Sequence, residues 1–385
     1  MHVLLASFDD PTDPHAWSGT PHAVLTQLQR RFERVSVLHY APPRRTPLHL
    51  ALRLLCGGKP PWWQIWLTPP ALRRFGDELK QAVERHQPDV LLSISSQGLA
   101  YYQPDVPNYM LTDAPWIAWM QAYKGYWRKP VNSANFVARE AKAAKNLAGL
   151  VVCSDWARDE AQRLYGIDAA RAHVLPFGAN WAPTTSEEAL RAAVRERASD
   201  RLELLFVGRD WLRKGGDIAV EVTRRLNGAG VLARLNIVGC DPPLSDADRQ
   251  WVQIHGFLDR TRPEQAARLA ELFASSHLLL MPTRAECYGL SYCEAAAFAL
   301  PAVSYAVHGV PTIIDDDRTG LLFAPGTDAS AMAARIATLF ADRSRYLAMC
   351  DDARARYRER LNWDAFGDAL ETLLRSGAAK AGGQP

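Results

Sequence analysis

Short, mostly apolar runs recur along this chain between longer stretches of mixed polarity. Residues 2–8, 35–39, 89–95, 108–111 and 150–153 read as buried strands in its first part. Residues 204–207, 235–238, 252–257, 278–281 and 302–304 do so in its second. A helix is expected from Thr20-Pro21, with the threonine as N-cap, to about Arg31. Ser154 caps another over 155–165, and residues 328–341, about 344–360 and 363–375 close the chain as long helices. Strands that stay apolar along their length and alternate with helices predict parallel sheets covered on both faces, the α/β class. At 385 residues the chain is too long for one ordinary core. A polar, charged segment at about 181–201 is the expected linker between residues 1–180 and 181–362.

The chemistry concentrates between Pro282 and Glu294, which reads P-T-R-A-E-C-Y-G-L-S-Y-C-E. The apolar run before it ends at a proline, and a helix-forming alanine run follows. A strand, a tight loop and a helix N-terminus at the carboxyl edge of a parallel sheet is where such sheets bind ligands. Free N–H groups there suit a phosphate, and Gly289 lets backbone come close to it. Glu286 and Glu294 suit hydroxyls, as on a sugar or a ribose. A structural alternative exists: Ser291-x-x-Glu294 is also the pattern of a capping box. Charge narrows the partners, since 45 Lys+Arg against 42 Asp+Glu leave +3, which offers no global field for nucleic acid. No apolar run approaches the ~18 residues of a membrane span. The N-terminus enters a strand directly, without a leader pattern, so the expected location is cytoplasmic. The six cysteines are scattered without CxxC pairs and read as reduced thiols with no metal site.

The stretch E-C-Y-G-L-S-Y-C-E resembles the E-x7-E signature of retaining glycosyltransferases of family 4, which have the GT-B fold. The resemblance implies two Rossmann-like parallel-sheet domains facing a cleft, with residues 363–385 returning to the first domain. It implies that Glu294 binds the ribose and Glu286 the donor sugar, with Tyr288, Gly289, Leu290 and Ser291 lining sugar and diphosphate. Gly208-Arg209-Asp210-Trp211-Leu212-Arg213-Lys214 resembles the family's G-R…K-G motif, so Arg209 and Lys214 would hold the diphosphate. Two fixed cations suit that task, because the departing nucleotide gains negative charge. Which of Arg213 and Lys214 points inward stays open. Ser18-Gly19-Thr20 resembles the glycine loop that faces the donor phosphates, though it is equally a helix cap. The end of the 252–257 strand, at Phe257, resembles the place where the base is paired, and 319–323 the family's next short strand. No histidine lies near 110–125, where family members often carry one, and Asp113 at a strand end is the substitute candidate. Thr312 stands where a glutamate is common.

The implied function is transfer of a hexose-like sugar from a nucleotide diphosphate sugar, UDP- or GDP-linked, to a glycan, glycolipid or lipid-linked hydroxyl. The configuration would be retained, and no metal or other cofactor is expected. Asp315-Asp316-Asp317 reads as a solvated turn. Residues 44–75 interleave Arg44, Arg45, Arg53, Arg73 and Arg74 with apolar residues and Trp62, Trp63 and Trp66. That suits either an anionic membrane surface or packed structure. Two other functions fit the same fold: a nucleotide-sugar 2-epimerase, and a non-catalytic nucleotide-sugar-binding protein.

Overall fold

The computed structural model describes residues 1–40, 67–126 and 133–382. The chain divides into two compact units, Met1–Leu175 with Phe366–Pro385, and Pro176–Ala365. The first unit holds a six-stranded sheet in the order β2-β1-β3-β4-β5-β6. Its strands are β1 (His2–Ser7), β2 (Arg34–His39), β3 (Val90–Ile94), β4 (Asn108–Thr112), β5 (Gly149–Val152) and β6 (Ala172–Val174). All neighbours are parallel. β1, β3 and β5 are buried at every position, which is why they read as mostly apolar runs. β2 lies at the sheet edge, and its outward residues are exposed.

The second unit repeats the plan in the order β12-β11-β10-β7-β8-β9. Here β7 is Leu202–Val207, β8 Ala233–Val238, β9 Val252–Gly256, β10 Leu278–Leu280, β11 Ala302–Tyr305 and β12 Gly320–Phe323. Both sheets reverse direction of growth once. In the first unit the chain lays β2 on one side of β1 and then β3 on the other. In the second it lays β8 and β9 beyond β7 and then returns to place β10 on the far side. The loops leaving the two strands at such a switch point diverge and open a crevice. In the second unit those loops follow β7 and β10, and they carry Gly208–Gly216 and Pro282–Gly289.

Two local expectations change. The helix Thr20–Arg31 is capped by Gly19 at φ 84°, so Thr20 is its first residue and not its cap. Trp17, Ser18 and Gly19 are consecutively left-handed, and this swings the chain from the β1 loop into the helix. The final helix runs to Gly382, and its Asp368 receives Arg31 at 2.6 Å within the first unit. Between the predicted elements, Pro69–His86, Ser133–Lys145 and Pro263–Ser275 are further helices. Of the 44–75 segment, Arg73 and Arg74 lie in the Pro69–His86 helix. Arg44, Arg45, Arg53, Trp62, Trp63 and Trp66 lie outside the described residues. Among the described residues no helix is long and apolar enough to cross a membrane.

Candidate functional site

β7 and β10 pair directly, Leu204 beside Leu278 and Leu205 beside Leu279, so the loops beyond them start side by side. Gly215 lets them touch. It sits at φ 76°, and a Cβ there would lie 2.1 Å from the Pro282 carbonyl oxygen. Further stitches fix the pair of loops: the Arg284 N–H donates to the Arg213 carbonyl at 2.8 Å, and the Arg284 guanidinium holds Asp217. The helix Leu290–Ala297 then begins from Gly289 at φ 107°. Gly289 is therefore the N-cap, and Ser291 lies within the first turn without capping it. The capping-box alternative for Glu294 accordingly gives way. Tyr292 pins this helix to the sheet by donating to the Met281 carbonyl at 2.7 Å and meeting Ser304 Oγ at 2.8 Å.

Both glutamates face cations. Glu286 is 8% exposed, and its Oε2 receives Lys214 Nζ together with Arg213 Nη1 at 3.4 Å. Arg213 is held there by the Ala285 carbonyl at 2.8 Å and by Asp210 at 2.9 Å. The ambiguity between Arg213 and Lys214 thus resolves into both turning inward. Burial pushes the Glu286 carboxyl up, but the Lys214 and Arg213 charges outweigh it and hold it below the usual range. Glu294 is 7% exposed, and its Oε1 receives Arg260 Nη1. Here burial wins over the Arg260 charge, and the carboxyl sits above its ordinary value. The environments push the two carboxyls apart, a pattern that marks functional pairs. Among the described residues, neither Glu286 Oε1 nor Glu294 Oε2 takes a hydrogen bond. Each glutamate thus keeps one oxygen without a partner among the described residues.

Arg209 stands apart from this cluster. It is exposed, with its guanidinium 4.4 Å from the ring centre of Phe257, itself 55% exposed. Gly208 lies between β7 and Arg209, its N–H donating to the Val238 carbonyl at 2.9 Å. Tyr288 is buried and donates its hydroxyl to the Phe177 carbonyl at 2.8 Å, so only its backbone is left to line a ligand. Leu290 and Ser291 are half-buried at the helix start. Thr312 is buried, and its carbonyl accepts from Arg356 at 2.8 Å. Arg260 escaped the sequence reading, because nothing local separates a loop arginine facing solvent from one facing a glutamate 34 residues on.

The first unit has its own recess. A cavity of about 430 Å³ opens beyond the ends of β1, β3 and β4, where that sheet reverses. Asp113 lines it, half-buried, directly after β4. Trp116 and Trp119 form one wall, stacked at 5.1 Å and 15°. Glu140 lies fully buried behind, receiving Ser96 Oγ at 2.9 Å, the Trp116 N–H at 3.0 Å and the Tyr165 hydroxyl. Burial raises its carboxyl above the ordinary value. Gly19 and Thr20 are buried in this unit after the Trp17 turn, and Trp17 reaches the cavity.

Residues 201–342 match a family model described as glycosyl transferases group 1. D-inositol 3-phosphate glycosyltransferase of Xylanimonas cellulosilytica is 33% identical over 229 residues, 55% of this chain and 54% of the relative. The chain thus spans about half the length of that curated relative. Sucrose-phosphate synthase from Thermosynechococcus elongatus superposes with a TM-score of 0.71 at 19% identity, covering 99% of this chain and 100% of that one. Anabaena HepE, solved in complex with UDP-glucose, does so at 0.63 and 14%, covering 98% and 100%. Two six-stranded parallel sheets in two Rossmann-like units are the GT-B fold. The part of the chain that the family likeness covers, residues 201–342, is thus a group 1 glycosyl transferase domain.

Proposed function

We propose that this protein is a retaining, family 4 type glycosyltransferase that moves a hexose-like sugar from a nucleoside diphosphate sugar to an acceptor hydroxyl. UDP and GDP are the favoured donors, and the acceptor is a glycan, glycolipid or lipid-linked sugar. The observation that carries the reading is the pair of buried glutamates, each with one oxygen held by a cation and the other open. A donor sugar and a ribose offer the vicinal hydroxyls that two such oxygens accept. A diphosphate beside them would draw on Lys214 and Arg213, and Arg209, the second residue beyond β7, would add a third cation. These positive charges neutralise the departing nucleotide, which is the role a divalent metal plays elsewhere. Retention then requires the acceptor to attack from the face the nucleotide leaves. The family match over 201–342 and the UDP-glucose held by the structurally similar HepE protein support the donor class.

The test is product analysis with UDP- and GDP-sugars, with and without sugar acceptors, read by anomeric NMR signals. Acceptor-dependent formation of a glycoside with the donor's anomeric configuration is the expected result. Donor turnover to an epimer without acceptor, or donor binding with no turnover at all, would overturn it.

A further inference from the structure

We propose that the cavity of the first unit receives a polyhydroxylated ring bearing a protonated amine and rejects phosphorylated rings. This rests on the glycosyltransferase reading and deepens it by naming the acceptor class. The cavity lies outside the residues that the family model matches. Its volume, about 430 Å³, accommodates a monosaccharide-sized ligand. The stacked Trp116 and Trp119 offer aromatic surface on which the apolar face of a sugar ring packs and towards which a cation is drawn.

The polar groups point the same way. Among the described lining residues there is no lysine, arginine or histidine, while Asp9, Asp113 and Glu140 are all present. Glu140 is occupied by its three donors. Asp9, at the end of β1, is half-buried, and burial raises its carboxyl with only His39 opposing. Among the described residues no lysine or arginine pairs with it. A carboxylate in that setting gains from a cationic ligand and is opposed to a phosphate, whose charge would add to its own. Among the described residues, two further groups lack partners. Gln97 Oε1 and Ser95 Oγ are buried without a hydrogen bond, and both residues line the cavity. The Gln97 oxygen is an acceptor and is satisfied only by a donor from outside, an ammonium or a hydroxyl, while the Ser95 hydroxyl can donate or accept. Ser95 is also held at φ 82°, a left-handed strain of the kind that collects at ligand sites.

Isothermal titration of the full chain with glucosamine, glucose and glucose 6-phosphate tests the proposal. Glucosamine is expected to bind about tenfold tighter than glucose, the low end for a close charge pair. Glucose 6-phosphate is expected to bind worst. Asp9→Asn should bring glucosamine to the level of glucose, and the wild-type ranking is a test independent of that variant. The proposal fails if the phosphate ester binds as tightly as glucosamine, if Asp9→Asn leaves the ratio unchanged, or if none of the three saturates. UDP-glucose is titrated separately: absent donor binding sinks the glycosyltransferase reading, whereas a wrong ranking with donor binding intact sinks only this one.

Discussion

Replacing Lys214 by methionine keeps the side chain's length and apolar stem and removes one charge. Lys214 and Glu286 have side chains only 12% and 11% exposed, so the carboxylate left behind cannot turn to water. Removing one member of a buried pair costs about 3–5 kcal/mol when nothing replaces it. Arg213 remains, with Nη1 3.4 Å from the same oxygen, which puts the expected loss near the low end, about 3 kcal/mol at neutral pH. In a unit of this size that corresponds to a fall in melting temperature of roughly 6–12 °C. The loss should depend on pH. In the wild type the Glu286 carboxyl is held below its unfolded value, so its contribution is present above the unfolded pKa and fades as pH falls through the folded one. In the variant burial is less opposed and the folded pKa rises, so the variant loses stability as pH climbs through the unfolded value. The gap between the two proteins should therefore be wide at pH 7.5 and narrow near pH 4.5. Scanning calorimetry at both pH values reads it. Adding Glu286→Gln to the variant should restore part of the loss, because the stranded charge is gone. An equal gap at both pH values, or a melting temperature unchanged at pH 7.5, would refute the buried-pair reasoning.

Further outcomes are expected. Arg209→Ala should lower kcat/KM by roughly 10²–10³ with little change in melting temperature, since this exposed side chain touches mainly Phe257. Activity should persist in EDTA, and loss in chelator would end the metal-free reading. Glu294→Gln should weaken donor binding at nearly constant stability. In the wild type, whose Glu294 carboxyl is raised by burial, donor affinity should fall as pH drops through that raised value. Calorimetric titration of donor against pH checks both, and normal donor binding by the Gln variant would remove Glu294 from the ribose. Flotation with anionic liposomes should carry the protein upward, salt-sensitively, at about 1 kcal/mol per basic residue near the surface. Serines at Trp62, Trp63 and Trp66 should weaken this, and a protein that stays at the bottom at low salt does not use 44–75 on membranes.

The sequence by itself determined the strands and the class of the fold. A parallel strand buried on both faces must be apolar at nearly every position, so β1, β3, β7 and β10 are legible one by one. It also determined that Glu286, Gly289 and Glu294 sit on one strand–loop–helix turn, because that turn is local. Helix starts were less legible. Thr20 and Ser291 look like caps by type, yet Gly19 and Gly289 take the left-handed N-cap positions. The φ of a glycine depends on what crowds it, and no side-chain pattern records that. Only the tertiary structure decided which charges meet. Lys214 and Glu286 are 72 residues apart, and Arg260 reaches Glu294 across 34. Those meetings depend on β10 pairing beside β7 rather than beside β9, a choice made by packing of the whole sheet. The cavity of the first unit is the extreme case. Asp9, Gln97 and Asp113 follow three different strands, and of the three only Asp113 stands out in its own loop. They become a site only because the sheet order sets β1, β3 and β4 side by side, so that the three loops open from the same edge.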